Sequence, residues 1–313
     1  MKIIIASPHC TKLDLMEYQH KSIQKFVHDI DYEYVIFNDA STEKNLCNFY
    51  QSDINEQIHH KCEMLHIKCV DIPQHLHTHR NEIFSKTKAI NDTHVSARAS
   101  VSVKYIFDYF TNENVILMIM ESDMFFIKPI NIEQYLGNYH FRFLEQTRSN
   151  NEITICYMWI GILLFDMSRL NNKNVLGLDC GEVKCVRCDS GGCSYEFLEL
   201  YDKCNYSDVG QIIIETINDV NVLLFSDEIK IMFNNIAEFY CDNTVRGEVY
   251  MDQSIYHIRT FGSNWNYGSE HFLNFIENEL GKNKNCSYET KSEYWLTYNQ
   301  KLSQIFRKYF YSI

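Results

Sequence analysis

The sequence predicts an α/β fold, a mixed and mostly parallel sheet sandwiched between helices. Three observations predict it. The first third of the chain alternates short apolar segments with amphipathic ones, the order of strands joined by crossover helices. One segment, Val115 to Met120, is apolar at all six positions, as a strand buried on both faces is. That run stops at two carboxylates, Glu121 and Asp123, where open α/β sheets bind ligands, outside the carboxyl ends of their strands.

In chain order, Lys2 to Ser7 reads as the first strand and Leu15 to His28 as a helix. Tyr34 to Asn38 reads as the second strand, Thr42 to Met64 as mostly helical, and Ile67 to Ile72 as the third strand. A polar stretch runs from Pro73 to Asp92; Asp92 then caps a helix that continues to Phe110, directly ahead of the Val115 strand. Phe141 to Glu145 and Thr154 to Asp166 read as further strands, and the aromatic tail from Tyr294 to Ile313 as a helix packed on the body or on a second subunit, which leaves a homodimer open. No Pro-, Gly- or Ser-rich linker divides the chain. One domain is expected, with a nucleotide-binding half at 1–130, an acceptor and metal-completing half at 131–270 and a helical tail at 271–313.

Composition narrows the class of function. Apolar residues make up 45% and aromatic residues 14% of the 313 positions, which excludes a disordered chain. Lys and Arg number 29 against 41 Asp and Glu, a formal charge of 29 − 41 = −12, with no long basic run, so nucleic acid is excluded as the main partner. The longest apolar runs fall far short of the roughly 20 residues that span a bilayer. The apolar stretch after Met1 is too short for a signal peptide, so a cytoplasmic location is expected. Twelve cysteines in such a chain are read as thiols or metal ligands rather than a disulfide framework.

Glu121 and Asp123 are two residues apart, so on an extended backbone both point the same way and both can face one ligand. Paired carboxylates suit a hard divalent cation that in turn holds phosphate oxygens. An imidazole can complete such a site, because intermediate metals accept mixed nitrogen and oxygen ligands, and His257 stands in Tyr256-His257-Ile258-Arg259-Thr260-Phe261-Gly262-Ser263-Asn264-Trp265. Arg259, Gly262, Ser263 and Asn264 there offer donors and close backbone approach to a diphosphate. Asp39, in Asn38-Asp39-Ala40-Ser41 at the end of the second strand, either binds a base or ribose or caps the next helix. His94 and Arg98 share a helix face, as cationic contacts to ribose or pyrophosphate or as an exposed polar stripe. His75, His77 and His79 alternate, as a metal-binding set or as a polar loop. Gly161, in Trp159-Ile160-Gly161, admits close approach of a ligand or of neighbouring backbone.

These pieces together resemble the nucleotide-sugar-dependent glycosyltransferases of the GT-A fold. Glu121-Ser122-Asp123 stands in the place of their Asp-x-Asp motif, and the segment around His257 is similar to the late His-Gly-Trp element of glycogenin-like members. Here the glycine is displaced and no Lys-Pro precedes Trp265, so retention or inversion stays open. The resemblance covers Met1 to about Trp265. It implies a GT-A-like fold, Mn²⁺ or Mg²⁺ held by Glu121, Asp123 and His257, a UDP- or GDP-sugar donor bridged through its diphosphate, and hexosyl transfer to a hydroxyl on a glycan or protein. For an inverting reaction Asp189, in Asp189-Ser190-Gly191-Gly192, is the candidate general base, its two glycines admitting a sugar; turn chemistry explains the same four residues.

Around Asp189 lie Cys180, Cys185, Cys188 and Cys193, an array that either binds a structural Zn²⁺ or holds free thiols. A sugar nucleotidyltransferase is disfavoured, because Ser7-Pro8-His9-Cys10-Thr11-Lys12 contains no glycine for a phosphate loop. A catalytically silent carbohydrate-binding or scaffold protein of the same fold is the rival from another class.

Overall fold

In a computed structural model of the chain, residues 1–28, 31–41, 53–84, 95–240, 244–258, 277, 280–283, 285 and 287–311 are described. Contacts divide the chain into two compact units whose segments interleave: Met1–Met16, Val27–Ser122 and Ile130–Gly210 form the first, and Glu17–Phe26, Asp123–Pro129 and Gln211–Ile313 the second.

The first unit is the α/β fold that the sequence predicts. Its strands are β1 (Lys2–His9), β2 (Tyr32–Asn38), β3 (Lys68–Asp71), β4 (Val115–Met120), β6 (Phe141–Ser149), β7 (Thr154–Asp166) and β10 (Tyr206–Asp208), in the order β10-β6-β7-β4-β1-β2-β3. β3, β2, β1 and β4 are mutually parallel, β10 is parallel to β6, and β7 is antiparallel to both of its neighbours. The sheet is therefore mixed and mostly parallel, as expected of a GT-A-like fold. Val35 and Phe37 of β2 belong to a core shared with Val103, Ile106, Phe107 and Phe110 of helix α3 (Val95–Tyr109). Ile36 and its β3 neighbour Cys69 point to the other face. There the helix Ile54–Leu65 places the buried Cys62. Helices thus cover both faces. All six β4 residues are buried, each contributing roughly 2 kcal/mol of apolar burial.

Because β1, β2 and β4 run parallel, their carboxyl ends reach one edge of the sheet. His9, Asn38 and Glu121 end there, and the His9 carbonyl accepts the Asp39 N–H at 2.7 Å. Two short strands, β8 (Gly181–Val183) and β9 (Val186–Cys188), form a separate hairpin. Its two-residue turn has Lys184 and Cys185 at φ 47° and 63°, the left-handed pair that hairpins ordinarily fill with Asn-Gly.

The second unit holds a four-stranded sheet in the order β11-β12-β13-β5, from β11 (Gln211–Thr216), β12 (Thr244–Tyr250), β13 (Ile255–Ile258) and β5 (Met124–Phe126). The neighbouring pairs are antiparallel. The turn from β12 to β13 carries three consecutive left-handed residues, Met251, Asp252 and Gln253, at φ 52°, 55° and 67°. The aromatic tail is a helix, Tyr288–Tyr311, and its Phe306 and Phe310 rings lie 5.5 and 5.7 Å from that of Phe125. Aromatic residues at helical spacing make it amphipathic and so bring it onto the sheet.

Candidate functional site

β4 pairs with β7 up to Met120, and the Glu121 N–H still donates to the Gly161 carbonyl at 2.9 Å. The chain then turns at Ser122 and Asp123 before entering β5. The two carboxylates are thus brought together by a turn and not by the extended backbone expected from their spacing. β5 pairs with β13 so that Met124 faces His257, and β13 pairs with β12 so that His257 faces Glu248. One ligand atom from each of Glu121, Asp123 and His257 lies within 4.8 Å of the others. Among the described residues no other group of three His, Cys, Asp or Glu side chains meets that condition.

The imidazole has a carboxylate on each side. His257 Nε2 lies 3.5 Å from Asp123 Oδ1, and Nδ1 lies 3.3 Å from Glu248 Oε2. Glu248 is 2% exposed and also accepts a hydrogen bond from the Tyr250 hydroxyl. Nδ1 is thus the nitrogen beside Glu248, and Nε2 the nitrogen beside Asp123. Glu121 and Asp123 are partly exposed whereas His257 is buried, so the set presents its carboxylates outward from a fixed nitrogen.

Asp39 and Arg98, expected as separate nucleotide contacts, are bound to each other. Asp39 is 5% exposed. Its Oδ1 accepts from His77 Nε2 at 2.7 Å, Arg98 at 3.1 Å and Gln74 at 3.3 Å, and its Oδ2 accepts from Ser102 at 2.9 Å. Burial alone would push this carboxyl up; the His77 imidazole, with Arg98 and Ser102, outweighs burial and holds it below the ordinary carboxylate value. With both oxygens engaged, Asp39 organises the edge of the sheet. His77 thereby leaves the expected trio: it is buried, while His75 and His79 stay exposed in and beside a 3₁₀ turn, Gln74–His77.

The glycines make room for the protein itself. A Cβ on Gly161 would stand 2.1 Å from the Trp159 ring, so its neighbour's indole fills the space expected to admit a ligand. Gly191, at φ +91°, lies against the Met158 carbonyl, and Gly192 against Cys188 Cβ. These close approaches hold the Asp189 turn on β7. Asp189 itself is exposed, and its Oδ1 accepts the Ser190 N–H at 2.8 Å.

The four cysteines of the expected zinc array do not converge. Cys185 is exposed at the tip of the β8–β9 hairpin, while Cys188 is buried with Ile155, Tyr157, Val183 and Val186. The hairpin sends successive side chains to opposite faces, which separates thiols that the sequence places three residues apart. His94, Arg259, Gly262, Ser263 and Asn264 lie outside the described residues, as does the Asp92 cap.

Glu248 and Tyr250 had escaped the sequence reading. The signal for them is the stretch Gly247-Glu248-Val249-Tyr250 just ahead of His257, an alternating strand that can only pair back as a hairpin.

No family model matches this sequence, and no curated protein is similar to it. Among solved structures the chain is similar to the apo bifunctional glycosyltransferase WbbM, at 10% identity over 56% of this chain and 33% of that one, with a TM-score of 0.37. This chain thus spans about a third of that protein's length. It is similar to mouse xyloside xylosyltransferase 1 in its apo form, at 9% identity over 64% of this chain and 83% of that one, with a TM-score of 0.37. It is also similar to the galactosyltransferase LgtC in complex with donor and acceptor sugar analogues, at 10% identity over 95% and 96% of the two chains, with a TM-score of 0.40. The strand order, and not these scores, carries the fold class. No helix among the described residues is long and apolar enough to cross a membrane.

Proposed function

We propose that this chain is a divalent-metal-dependent glycosyltransferase that moves a sugar, hexosyl by class, from a nucleoside-diphosphate donor to a hydroxyl acceptor on a glycan or protein. The observation that carries this reading is the meeting of Glu121, Asp123 and His257 within 4.8 Å, after the last strand of a parallel set.

Two carboxylates and an imidazole fit Mn²⁺ best, because Mg²⁺ prefers an all-oxygen shell. The outward-facing carboxylates leave coordination positions for phosphate oxygens. An ion held there would offset the negative charge that develops on the departing nucleoside diphosphate, which lowers the barrier to breaking the anomeric bond. The chain's own part is placement. Glu121 and Asp123 would hold the ion through carboxylate oxygens and His257 through Nε2, and β13 places that nitrogen between β5 and β12. For an inverting reaction Asp189 is the base, its Oδ2 taking the acceptor's proton while Oδ1 stays on Ser190 N–H.

Thermal melts with UDP-, GDP-, CMP- and dTDP-sugars, each with and without Mn²⁺, test the reading. A donor at about 100 times its Kd stabilises the folded chain by roughly 2.7 kcal/mol. The shift is expected for one nucleotide-sugar, only with metal, and is expected to vanish in Asp123→Ala and His257→Ala. No metal-dependent shift for any donor would end the proposal. A shift without slow donor hydrolysis would leave a binding protein of the same fold.

A further inference from the structure

We propose that Glu248 is a positioning residue for the metal site: it fixes the His257 ring with its proton on Nδ1, so that Nε2 stands as a preformed ligand beside Asp123. The inference rests on the metal-dependent reading above and extends it to a residue that touches neither metal nor substrate.

The geometry is specific. β12 and β13 are antiparallel, and Glu248 stands directly opposite His257 in their register, where side chains of facing residues lie on the same side of the sheet. Oε2 is 3.3 Å from Nδ1, and the same oxygen accepts from the Tyr250 hydroxyl. A buried carboxylate, 2% exposed, is costly to keep and persists where hydrogen-bond donors hold it. Here the donors are one phenol and one imidazole, and the imidazole's other nitrogen faces Asp123 at 3.5 Å.

A ring free to choose would distribute its proton between both nitrogens, and with the proton on Nε2 it offers no lone pair to an ion. Glu248 removes that choice. A carboxylate behind a ligating imidazole also raises the ring's basicity, and removal of such partners weakens metal binding by about 10- to 100-fold in other proteins.

The turn between the two strands shows that the pairing is held in place against a local cost. Met251, Asp252 and Gln253 all take left-handed backbone conformations, at roughly 1 kcal/mol or more each, yet the turn closes with the Ser254 N–H on the Tyr250 carbonyl at 3.0 Å. The strands on either side therefore dictate the turn.

Mn²⁺ titration of the purified chain, read by loss of the free-ion paramagnetic resonance signal, tests the inference on wild type, Glu248→Gln and Asp123→Ala. Glu248→Gln keeps the shape and removes the charge; its Kd for Mn²⁺ is expected to rise about 10-fold or more. Binding that is lost in Asp123→Ala but changes by less than about tenfold in Glu248→Gln overturns the role of Glu248 and leaves the metal site standing. Absence of Mn²⁺ binding in wild type overturns both. Nitrogen-15 shifts of His257 in the metal-free wild-type protein give a second reading that does not depend on any variant folding. A proton on Nδ1 with Nε2 unprotonated is expected, and a ring carrying a proton on Nε2 overturns the inference.

Discussion

His77 Nε2 and Asp39 Oδ1 are 2.7 Å apart, with both side chains almost wholly buried at the carboxyl edge of the parallel strands. The carboxyl's lowered pKa means that the folded chain binds this proton less readily than the unfolded chain does. The stabilisation is therefore present above the ordinary carboxylate value near 3.9 and is lost as pH falls through the lower folded value. Asp39→Asn is expected to cost about 3 kcal/mol at pH 7, because it leaves buried donors without their charge. Urea melts of both proteins should converge as pH falls below the lowered folded value of Asp39. A gap that stays constant from pH 7 to the acid limit would show that the charge is irrelevant.

Arg80 and Asp179 form an ion pair with side chains 2% and 1% exposed, and Arg80 also donates to the Ala97 carbonyl at 2.8 Å. Arg80→Met is expected to cost about 3–5 kcal/mol by leaving a buried carboxylate alone. Adding Asp179→Asn should recover part of the loss. Additive single and double variants, measured by denaturant unfolding, would mean that the two residues do not act together.

Cys185→Gly is expected to stabilise the chain by roughly 0.5–1 kcal/mol, since Cys185 is exposed and adopts a backbone conformation that suits glycine. Its backbone carbonyl, which accepts from Asn150, is kept. A lowered Tm accompanied by loss of bound zinc would restore the metal-array reading of the cysteines.

Gly191→Ala and Gly210→Ala separate backbone strain from close packing. Both positions have left-handed φ, but a Cβ at Gly191 would stand 1.8 Å from the Met158 carbonyl, whereas nothing lies within 4 Å at Gly210. Gly210→Ala should cost about 1 kcal/mol and Gly191→Ala clearly more, about 3 kcal/mol. Equal costs would show that β7 gives way to the added methyl.

Much of the first unit was legible because most of its strands carry a strong local apolar pattern. The Val115–Met120 run, the strand ending at Asn38 and the Thr154–Asp166 strand each carry a pattern that only a buried strand fits. The candidate metal ligands were legible as residue types, though the turn that joins Glu121 to Asp123 was not. The second sheet was hidden. β5 has three residues and pairs with β13 more than a hundred positions away, so neither has a local signature. Partnership was hidden too. Asp39 and Arg98 each read as groups awaiting a ligand, because nothing in the sequence states that they satisfy one another. Gly161 and the Gly191-Gly192 pair read either as room for a ligand or as close packing and turn chemistry, and the groups against them are Trp159, Met158 and Cys188.

The strained turn from Tyr250 to Ile255 sets a rule for how this protein tolerates change. Its residue identities are open to improvement, since a glycine at Gln253 would relieve a left-handed φ of 67°. Its residue count is not. One residue more or fewer would slide β13 by a single step, present Tyr256 or Ile258 where His257 now stands, and turn the imidazole to the opposite face of the sheet. Any functional descendant of this chain can rewrite the turn but must keep its length.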